Sequence, residues 1–173
     1  FEGAGNVRTS GNLASYEAID NAYTGIQSVA FADGGIWTYD QLLDFTDAGS
    51  ASQTVLFGLK SANIFTPNGF AHEINSAGAN DTILYAAGDG PLTVNEYSTA
   101  TTPTNTIVFG AGITAAMLSV SASGEDIILS LGGFDVITLT SARLNSNANL
   151  TTSGVQKLVF NDGTVLAYAD LRS

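Results

Sequence analysis

The chain has 173 residues, of which 45% are apolar and 12% are charged, with 16 Asp and Glu against 5 Lys and Arg and no Cys. A formal net charge of −11 disfavours nucleic acid and anionic lipid as partners, because binding to either depends largely on Lys and Arg. The lack of Cys excludes disulfides, thiolate metal sites and thiol nucleophiles, and no apolar run is long enough to span a membrane. Gly, Ser, Thr and Asn are abundant, which favours strands and turns, so we expect an all-β protein.

The first predicted element is a β-hairpin whose sequence occurs twice. Residues 25–34, GIQSVAFADG, recur as residues 154–163, GVQKLVFNDG. Apolar positions stay apolar in both copies, and an Asp-Gly pair stands where a tight turn would join two antiparallel strands. The predicted turn residues are Asp33, Gly34, Asp162 and Gly163.

The offset between the two hairpin sequences, 129 residues, defines a repeat unit. A short helical turn is predicted at 39–43, directly after the first hairpin, and both copies end alike. We predict that residues 1–44 are the C-terminal half of one unit and that residues 45–173 form one complete unit. Such a register is typical of a tandem array in which each unit packs against the next.

Five apolar residues follow one another at intervals of nine residues in the first part of the complete unit, residues 49–93. They are Leu56, Phe65, Ile74, Ile83 and Leu92. An α-helix does not produce this spacing, because nine residues are two and a half turns and successive side chains would face opposite sides. A parallel β-solenoid does, with a strand and a turn in each step. We therefore predict that the first, third and fifth members stack on one sheet and the second and fourth on the other.

The rest of the unit, residues 94–173, changes to longer strands in which apolar and polar residues alternate. Strands are predicted at 106–109, 117–121, 126–131 and 135–139. Turn sequences around Gly124 and at Gly132-Gly133 separate the last three. The predicted fold class is all-β, as a parallel β-solenoid or β-roll-like repeat module with additional strands and short helical turns.

Residues 76–84, SAGANDTIL, resemble the nonapeptide of RTX, or haemolysin-type, proteins, whose framework is G-G-x-G-x-D-x-U-x with U a large apolar residue. Further blocks resemble the haemolysin-type calcium-binding-protein-related domain that accompanies those repeats. They cover residues 88–90, 105–114, 124–129 and 159–165, and residues 26–43 resemble the end of an earlier copy. The resemblance implies a large bacterial protein that is exported by type I secretion, acts outside the cell and commonly folds when calcium fills the turns of a β-roll.

Calcium is where the sequence departs from the RTX pattern. With the five apolar residues in the U position, Asp81 is the one carboxylate among the five Asp positions, and the first glycine is kept at Gly49 and Gly58. Calcium binds six to eight oxygens, several of them from carboxylates, so most of the usual ligands are lost. A remaining calcium site is predicted at Asp81, Asn80 and Asp89. Elsewhere we predict that stacked polar side chains replace the ion. These are Ser52, Asn63, Asn68, Asn75 and Asn80.

Candidate catalytic groups are few. His72 is the only imidazole of the sequence and no G-x-S-x-G accompanies it, so a Ser-His-Asp triad is not predicted. Glu125 and Asp126 are interpreted as a solvated turn. Trp37 is interpreted as a packing residue of its strand, with a sugar-stacking platform of Trp37 and Tyr39 as the alternative.

We therefore expect a non-catalytic extracellular structural module of a large secreted repeat protein, stacking end to end on neighbouring repeats or identical subunits in a filament or surface layer. The alternative is an accessory binding or secretion module beside a secreted polysaccharide-modifying enzyme or protease, with a glycan as ligand. An enzyme that needs only two carboxylates, such as a glycosidase, is compatible with the composition and has no further support. No cofactor other than calcium is expected.

Overall fold

A computed structural model describes residues 28–38, 47–58, 62–76, 80–96, 104–142 and 154–172. Within these ranges the chain forms thirteen short β-strands and two 3₁₀ helices, the latter at Ala115–Met117 and Tyr168–Arg172. The strands are β1 (Ser28–Ala30), β2 (Ile36–Thr38), β3 (Val55–Phe57), β4 (Ile64–Phe65), β5 (Glu73–Ser76), β6 (Thr82–Tyr85), β7 (Leu92–Glu96), β8 (Thr106–Phe109), β9 (Ser119–Ser123), β10 (Asp126–Ser130), β11 (Val136–Leu139), β12 (Lys157–Val159) and β13 (Val165–Ala167).

Most strands carry their buried side chains at every second position. In β7, for example, Leu92, Val94 and Glu96 are buried while Thr93 and Asn95 are only half-buried. Successive side chains of a strand point to opposite faces of its sheet, so this alternation places one face of each sheet in the core. None of the helices in the described part of the chain has the length and hydrophobicity of a transmembrane segment.

The strands form two larger sheets and one separate hairpin. The six-stranded sheet has the order β3-β5-β7-β11-β10-β9 and the five-stranded sheet the order β13-β12-β8-β6-β4, while β1 and β2 pair with each other and with no other described strand. From β3 to β8 the chain alternates between the two larger sheets, and each strand pairs in parallel with the strand before it in the same sheet. Two later strands continue this parallel pairing, β11 on β7 and β12 on β8.

The predicted parallel β-solenoid is wrong, because both sheets are mixed. The pairs β9–β10, β10–β11 and β12–β13 are antiparallel. Tight turns cause these reversals, and their glycines Gly124, Gly133 and Gly163 have φ values of 60°, 60° and 87°, which other residues rarely adopt. The protein is mostly β, with two sheets that contain parallel and antiparallel strands and with few helical residues.

One predicted strand begins later than the sequence indicates, and one predicted helical turn is not tested. The strand predicted at 117–121 begins only at Ser119, because Ala115–Met117 is a 3₁₀ helix whose first amide donates to Asp162 Oδ2 at 3.3 Å. The helical turn predicted at 39–43 lies outside the described residues. The corresponding segment of the second repeat copy, Tyr168–Arg172, is a 3₁₀ helix.

The core lies between the two sheets and contains the five apolar residues spaced nine apart, each at most 2% exposed. Leu56 pairs with Ile74 across β3 and β5, as the spacing predicts. The fifth member, Leu92, is displaced, because Ile74 pairs with Val94 and Leu92 pairs with Ile137. The predicted stacking of Leu92 on Ile74 is therefore wrong by two residues of register.

Candidate functional site: a buried polar ladder

A polar residue stands directly before each parallel strand of the five-stranded sheet. Since neighbouring strands are parallel and in register, these residues come to lie side by side in one column at the start of the strands. We call this column the polar ladder. Its members are Asn63 before β4, Asp81 before β6, Asn105 before β8 and Gln156 before β12.

One hydrogen bond is repeated along the whole polar ladder. The backbone amide of each member donates to the side-chain oxygen of the next, at 2.7 Å from Asn63 to Asp81 and 3.0 Å from Asp81 to Asn105. The third bond, from the Asn105 amide to Gln156 Oε1, is 2.7 Å long. A buried backbone amide without an acceptor destabilises a fold, so each side chain satisfies an amide that lies outside the regular sheet hydrogen bonds.

Three further side chains attach to the polar ladder. Asn63 Nδ2 donates to Asp47 Oδ2 at 3.1 Å, and the Ser76 hydroxyl donates to Asp81 Oδ2. Asn105 Nδ2 donates to Glu96 Oε2 at 3.1 Å and to the carbonyl oxygen of Gly154 at 3.0 Å. The cluster thus connects residues that lie on both sheets.

The carboxyl groups of the cluster are buried, and burial changes their acidity. Asp81 has no exposed surface, and its burial raises its pKa, although hydrogen bonds from Ser76 and Asn63 act in the opposite direction. Burial also raises the pKa of Glu96 well above its ordinary value, and the charge of Asp81 adds to the rise. Glu96 therefore keeps its proton at a pH at which an exposed glutamate has lost its own.

The structure does not bring the three predicted calcium ligands together. Both carboxylate oxygens of Asp81 accept hydrogen bonds within the polar ladder. Asn80 Oδ1 accepts from the Thr104 amide at 3.1 Å, and Asp89 Oδ2 accepts from the Ala86 amide at 2.8 Å in the turn after β6. The four residues of β6 separate Asp81 from that turn by about 13 Å. The described residues contain no group of three or more His, Asp or Glu side chains that could hold a metal ion.

Other polar side chains that the sequence singled out also hold strands or turns. Asn95 Nδ2 donates to Asn75 Oδ1 at 2.9 Å, and Thr140 Oγ1 donates to Asn95 Oδ1 at 2.5 Å, which forms a second column across β5, β7 and the end of β11. Asn68 Nδ2 donates to the Gly49 carbonyl at 3.3 Å, and the Ser52 hydroxyl lies 3.3 Å from that of Ser50.

The predicted turn residues lie in the turns of the two hairpins. Asp33 Oδ1 accepts from the Gly35 amide at 2.9 Å, and Asp162 Oδ1 accepts from the Thr164 amide at the same distance. The bond from Thr164 also lowers the pKa of Asp162. Gly34 and Gly163 have φ values of 89° and 87°, which explains why glycine occupies both positions.

The candidate catalytic residues remain apart from the polar ladder. The backbone of exposed His72 bridges two strands, with its amide donating to Thr54 and its carbonyl accepting from Thr93. Glu125 is exposed in a turn, and Asp126 Oδ1 accepts from the Ser141 amide at 2.7 Å. Trp37 lies in β2 opposite Val29, and its side chain is outside the described part of the structure.

Sequence reasoning identified Asn63 and Asp81 but missed Asn105 and Gln156. A signal was available, since each member is the polar residue directly before a run of β-forming residues. Comparisons of the chain with known protein families, with curated proteins and with solved structures give no match. The resemblance to RTX proteins therefore stays a prediction that depends on the sequence blocks alone.

Proposed function

We propose that this chain is a non-catalytic structural module of a large secreted bacterial protein of the RTX type. It would act outside the cell by stacking end to end on neighbouring repeats or identical subunits. The polar ladder is the observation that carries the proposal, because it uses buried amides and carboxyls to join consecutive parallel strands. A carboxylate such as Asp81, with hydrogen bonds to both oxygens, is poorly suited to act as a base or as a metal ligand.

The edges of the six-stranded sheet support stacking. In the described part of the chain β3 pairs with β5 on one side, and no described strand covers its other side. At the opposite edge, β9 is exposed at all five of its residues. A further strand can be added along the open edge of a sheet.

The directions of the two edge strands are compatible with head-to-tail contact. Strand β9 is antiparallel to β10, which is antiparallel to β11, so β9 runs in the same direction as β11 and β3. Placing β9 of one molecule beside β3 of the next would therefore extend the sheet by a parallel pair. A head-to-tail contact of this kind produces an open filament when the rotation between successive subunits does not close into a ring.

Light scattering and electron microscopy of the purified chain over a range of concentrations test this proposal. We expect particle mass to rise with concentration and elongated assemblies to appear on the grid. A monomer of constant mass at every concentration would contradict end-to-end assembly of identical subunits.

A pair of lysine variants makes the test specific to the sheet edge. Val55 lies on the edge strand β3 and Thr93 on the internal strand β7, and both pair directly with Glu73 of β5. Lysine on an edge strand discourages the addition of a further strand. We expect Val55→Lys to raise the concentration needed for assembly about tenfold or more, whereas Thr93→Lys, with the same neighbouring carboxylate, leaves it close to the wild-type value. If both variants assemble at the same concentration, the contact between molecules does not involve the β3 edge.

A further inference from the structure

The two copies of the repeated hairpin fold into the same turn. In the first copy the Phe31 amide donates to the Gly35 carbonyl at 2.8 Å, and in the second the Phe160 amide donates to the Thr164 carbonyl at 2.9 Å. The return bonds, from Gly34 and Gly163 to the carbonyls of the same two phenylalanines, are both 3.0 Å long. The sequence repeat is therefore also a repeat of local structure.

The second hairpin is docked on the five-stranded sheet. Strand β12 pairs in parallel with β8, with Leu158 opposite Ile107. The ring of Phe160 stacks on Phe109 with centroids 4.7 Å apart and planes at 28°, and Phe109 in turn meets the ring of Tyr85 edge to face at 6.2 Å. Leu158 and Phe160 are 0% and 3% exposed as a result.

The first hairpin has the same apolar residues in a different environment. Val29 corresponds to Leu158 and Phe31 to Phe160, at the common offset of the repeat. Strand β1 pairs with β2 and with no other strand of the described residues. Phe31 is 41% exposed where Phe160 is 3% exposed. Phe31 is thus more exposed than its copy Phe160, and Val29 is half-buried where its copy Leu158 is buried.

We propose that the β1–β2 hairpin docks on a β8-type strand of another repeat unit, in the register in which β12 docks on β8. The partner of β1 is thus a parallel strand with inward-facing residues like Ile107 and Phe109. In that unit, no other hairpin pairs with this strand. Val29 lies opposite the Ile107-type residue and Phe31 stacks on the Phe109-type ring. This inference depends on the proposed function, since it requires that repeat units pack against one another.

A hairpin-exchange chimera of the full chain tests the inference. In the chimera, residues 154–172 are replaced by the sequence of residues 25–43, so that the first hairpin is offered to β8 in the place of the second. We expect a far-UV circular dichroism spectrum like that of the parent chain and one cooperative unfolding transition. The matched control carries Asp in place of the transplanted Val29 and Phe31, which puts charge into the buried face, and we expect it to lose the cooperative transition. A chimera that behaves like this control would overturn the inference.

A disulfide trap measures the register. Thr106 and Lys157 are paired across β8 and β12, and paired residues of neighbouring strands have Cα atoms about 4.8 Å apart, within the range that a disulfide spans. The sequence contains no Cys, so the parent with Thr106→Cys and Lys157→Cys gives a clean reference. In the chimera, the transplanted Ser28 takes the place of Lys157, and we expect Ser28→Cys with Thr106→Cys to form the same intramolecular disulfide. A disulfide in the parent but not in the chimera would overturn the proposed register.

These results separate the inference from the function on which it depends. Folding of the chimera reports whether the first hairpin fits a β8-type strand, whether or not the purified chain assembles. Concentration-dependent assembly with a chimera that fails to fold would retain the proposed function and remove the hairpin proposal. If the chimera folds but the purified parent chain stays monomeric at every concentration, the hairpin proposal is retained and stacking of identical subunits is removed.

Discussion

The backbone amide of Asn63 donates a 2.7 Å hydrogen bond to Oδ1 of Asp81, 18 residues further along the chain. In the return direction, the Thr82 amide donates to the Asn63 carbonyl at 2.8 Å. Neighbouring parallel strands are therefore joined by a side chain just before their regular sheet hydrogen bonds begin. The predicted RTX alignment assigns a calcium-binding aspartate to position 81, and in the structure Asp81 connects two strands by hydrogen bonds.

Removal of this acceptor should destabilise the protein, whereas its conservative replacement should not. We expect Asp81→Ala to lower the free energy of unfolding by about 3 kcal/mol, because it leaves the Asn63 amide and the Ser76 hydroxyl buried without this acceptor. Asp81→Asn keeps an oxygen for the amide and can donate its NH₂ group to the serine, so we expect a loss below about 1 kcal/mol. Urea denaturation of both variants measures the difference. Equal losses would show that the hydrogen bonds contribute little.

Gly49 and Gly58, which the predicted nonapeptide alignment places at its first glycine, have a steric role. A Cβ atom on Gly49 would lie 1.9 Å from the carbonyl oxygen of Pro67, and one on Gly58 would lie 2.6 Å from both the Phe65 ring and the Ser76 hydroxyl. These are close approaches of neighbouring turns and strands. Backbone packing thus requires glycine at position 49, whereas a methyl group at position 58 would meet side-chain atoms that must shift to admit it.

Alanine substitution tests this steric role. We expect Gly49→Ala to cost about 3 kcal/mol of stability, since backbone atoms must move to admit the methyl group. Gly110 is the matched control, because the nearest atoms to its Cβ would be 3.5 Å away, and we expect Gly110→Ala to stay within about 1 kcal/mol of wild type. Thermal and urea unfolding measure both. A tolerated Gly49→Ala would mean that the turn at Pro67 yields easily.

The sequence predicted which side chains face inward better than how the strands connect. Leu56, Phe65 and Ile83 are buried where a nine-residue spacing places them, because alternation along a strand is a local property. The displacement of Leu92 was not predictable in this way, since β3 to β5 advances by 18 residues but β5 to β7 advances by 20. Whether the chain reverses at a glycine turn also depends on which neighbouring strand is available for pairing. The antiparallel pairs that form at these turns are the reason that the fold is not a parallel solenoid.

The same distinction applies to the polar ladder. Asn63 and Asp81 were identified because the predicted nonapeptide alignment places both at its Asp position. The link from Asp81 to Asn105 crosses 24 residues and the link from Asn105 to Gln156 crosses 51, so neither follows a short period. These contacts form because β6, β8 and β12 pair in parallel within the same sheet. Long-range pairing of this kind is a property of the folded chain.

Calcium should have little effect on folding. Asp81 already accepts two hydrogen bonds, and Asp89 lies beyond the far end of β6. We therefore expect the circular dichroism spectrum and the midpoint of thermal unfolding to be the same in millimolar calcium and in excess chelator. Magnesium at the same concentration is the control for ionic strength and charge. A transition from coil to sheet at sub-millimolar calcium would contradict this expectation and would indicate ligands that the described residues do not show.

Glu96 should make stability depend on pH, and Glu96→Gln should remove that dependence. Its folded-state pKa is raised well above the ordinary 4.5, so the folded state keeps a proton that the unfolded state loses as pH rises past that value. The free energy of unfolding of the wild type then falls by about 1.4 kcal/mol for each pH unit until the folded carboxyl also ionises. Below pH 4.5 the wild type and Glu96→Gln should be nearly equally stable, and above it the variant should become increasingly more stable than the wild type.

Glu125→Gln, in an exposed turn, is the control that should follow the wild type. Urea unfolding from acidic to mildly alkaline pH provides the measurement, and a difference between Glu96→Gln and wild type that stays constant with pH would show that Glu96 ionises alike in both states.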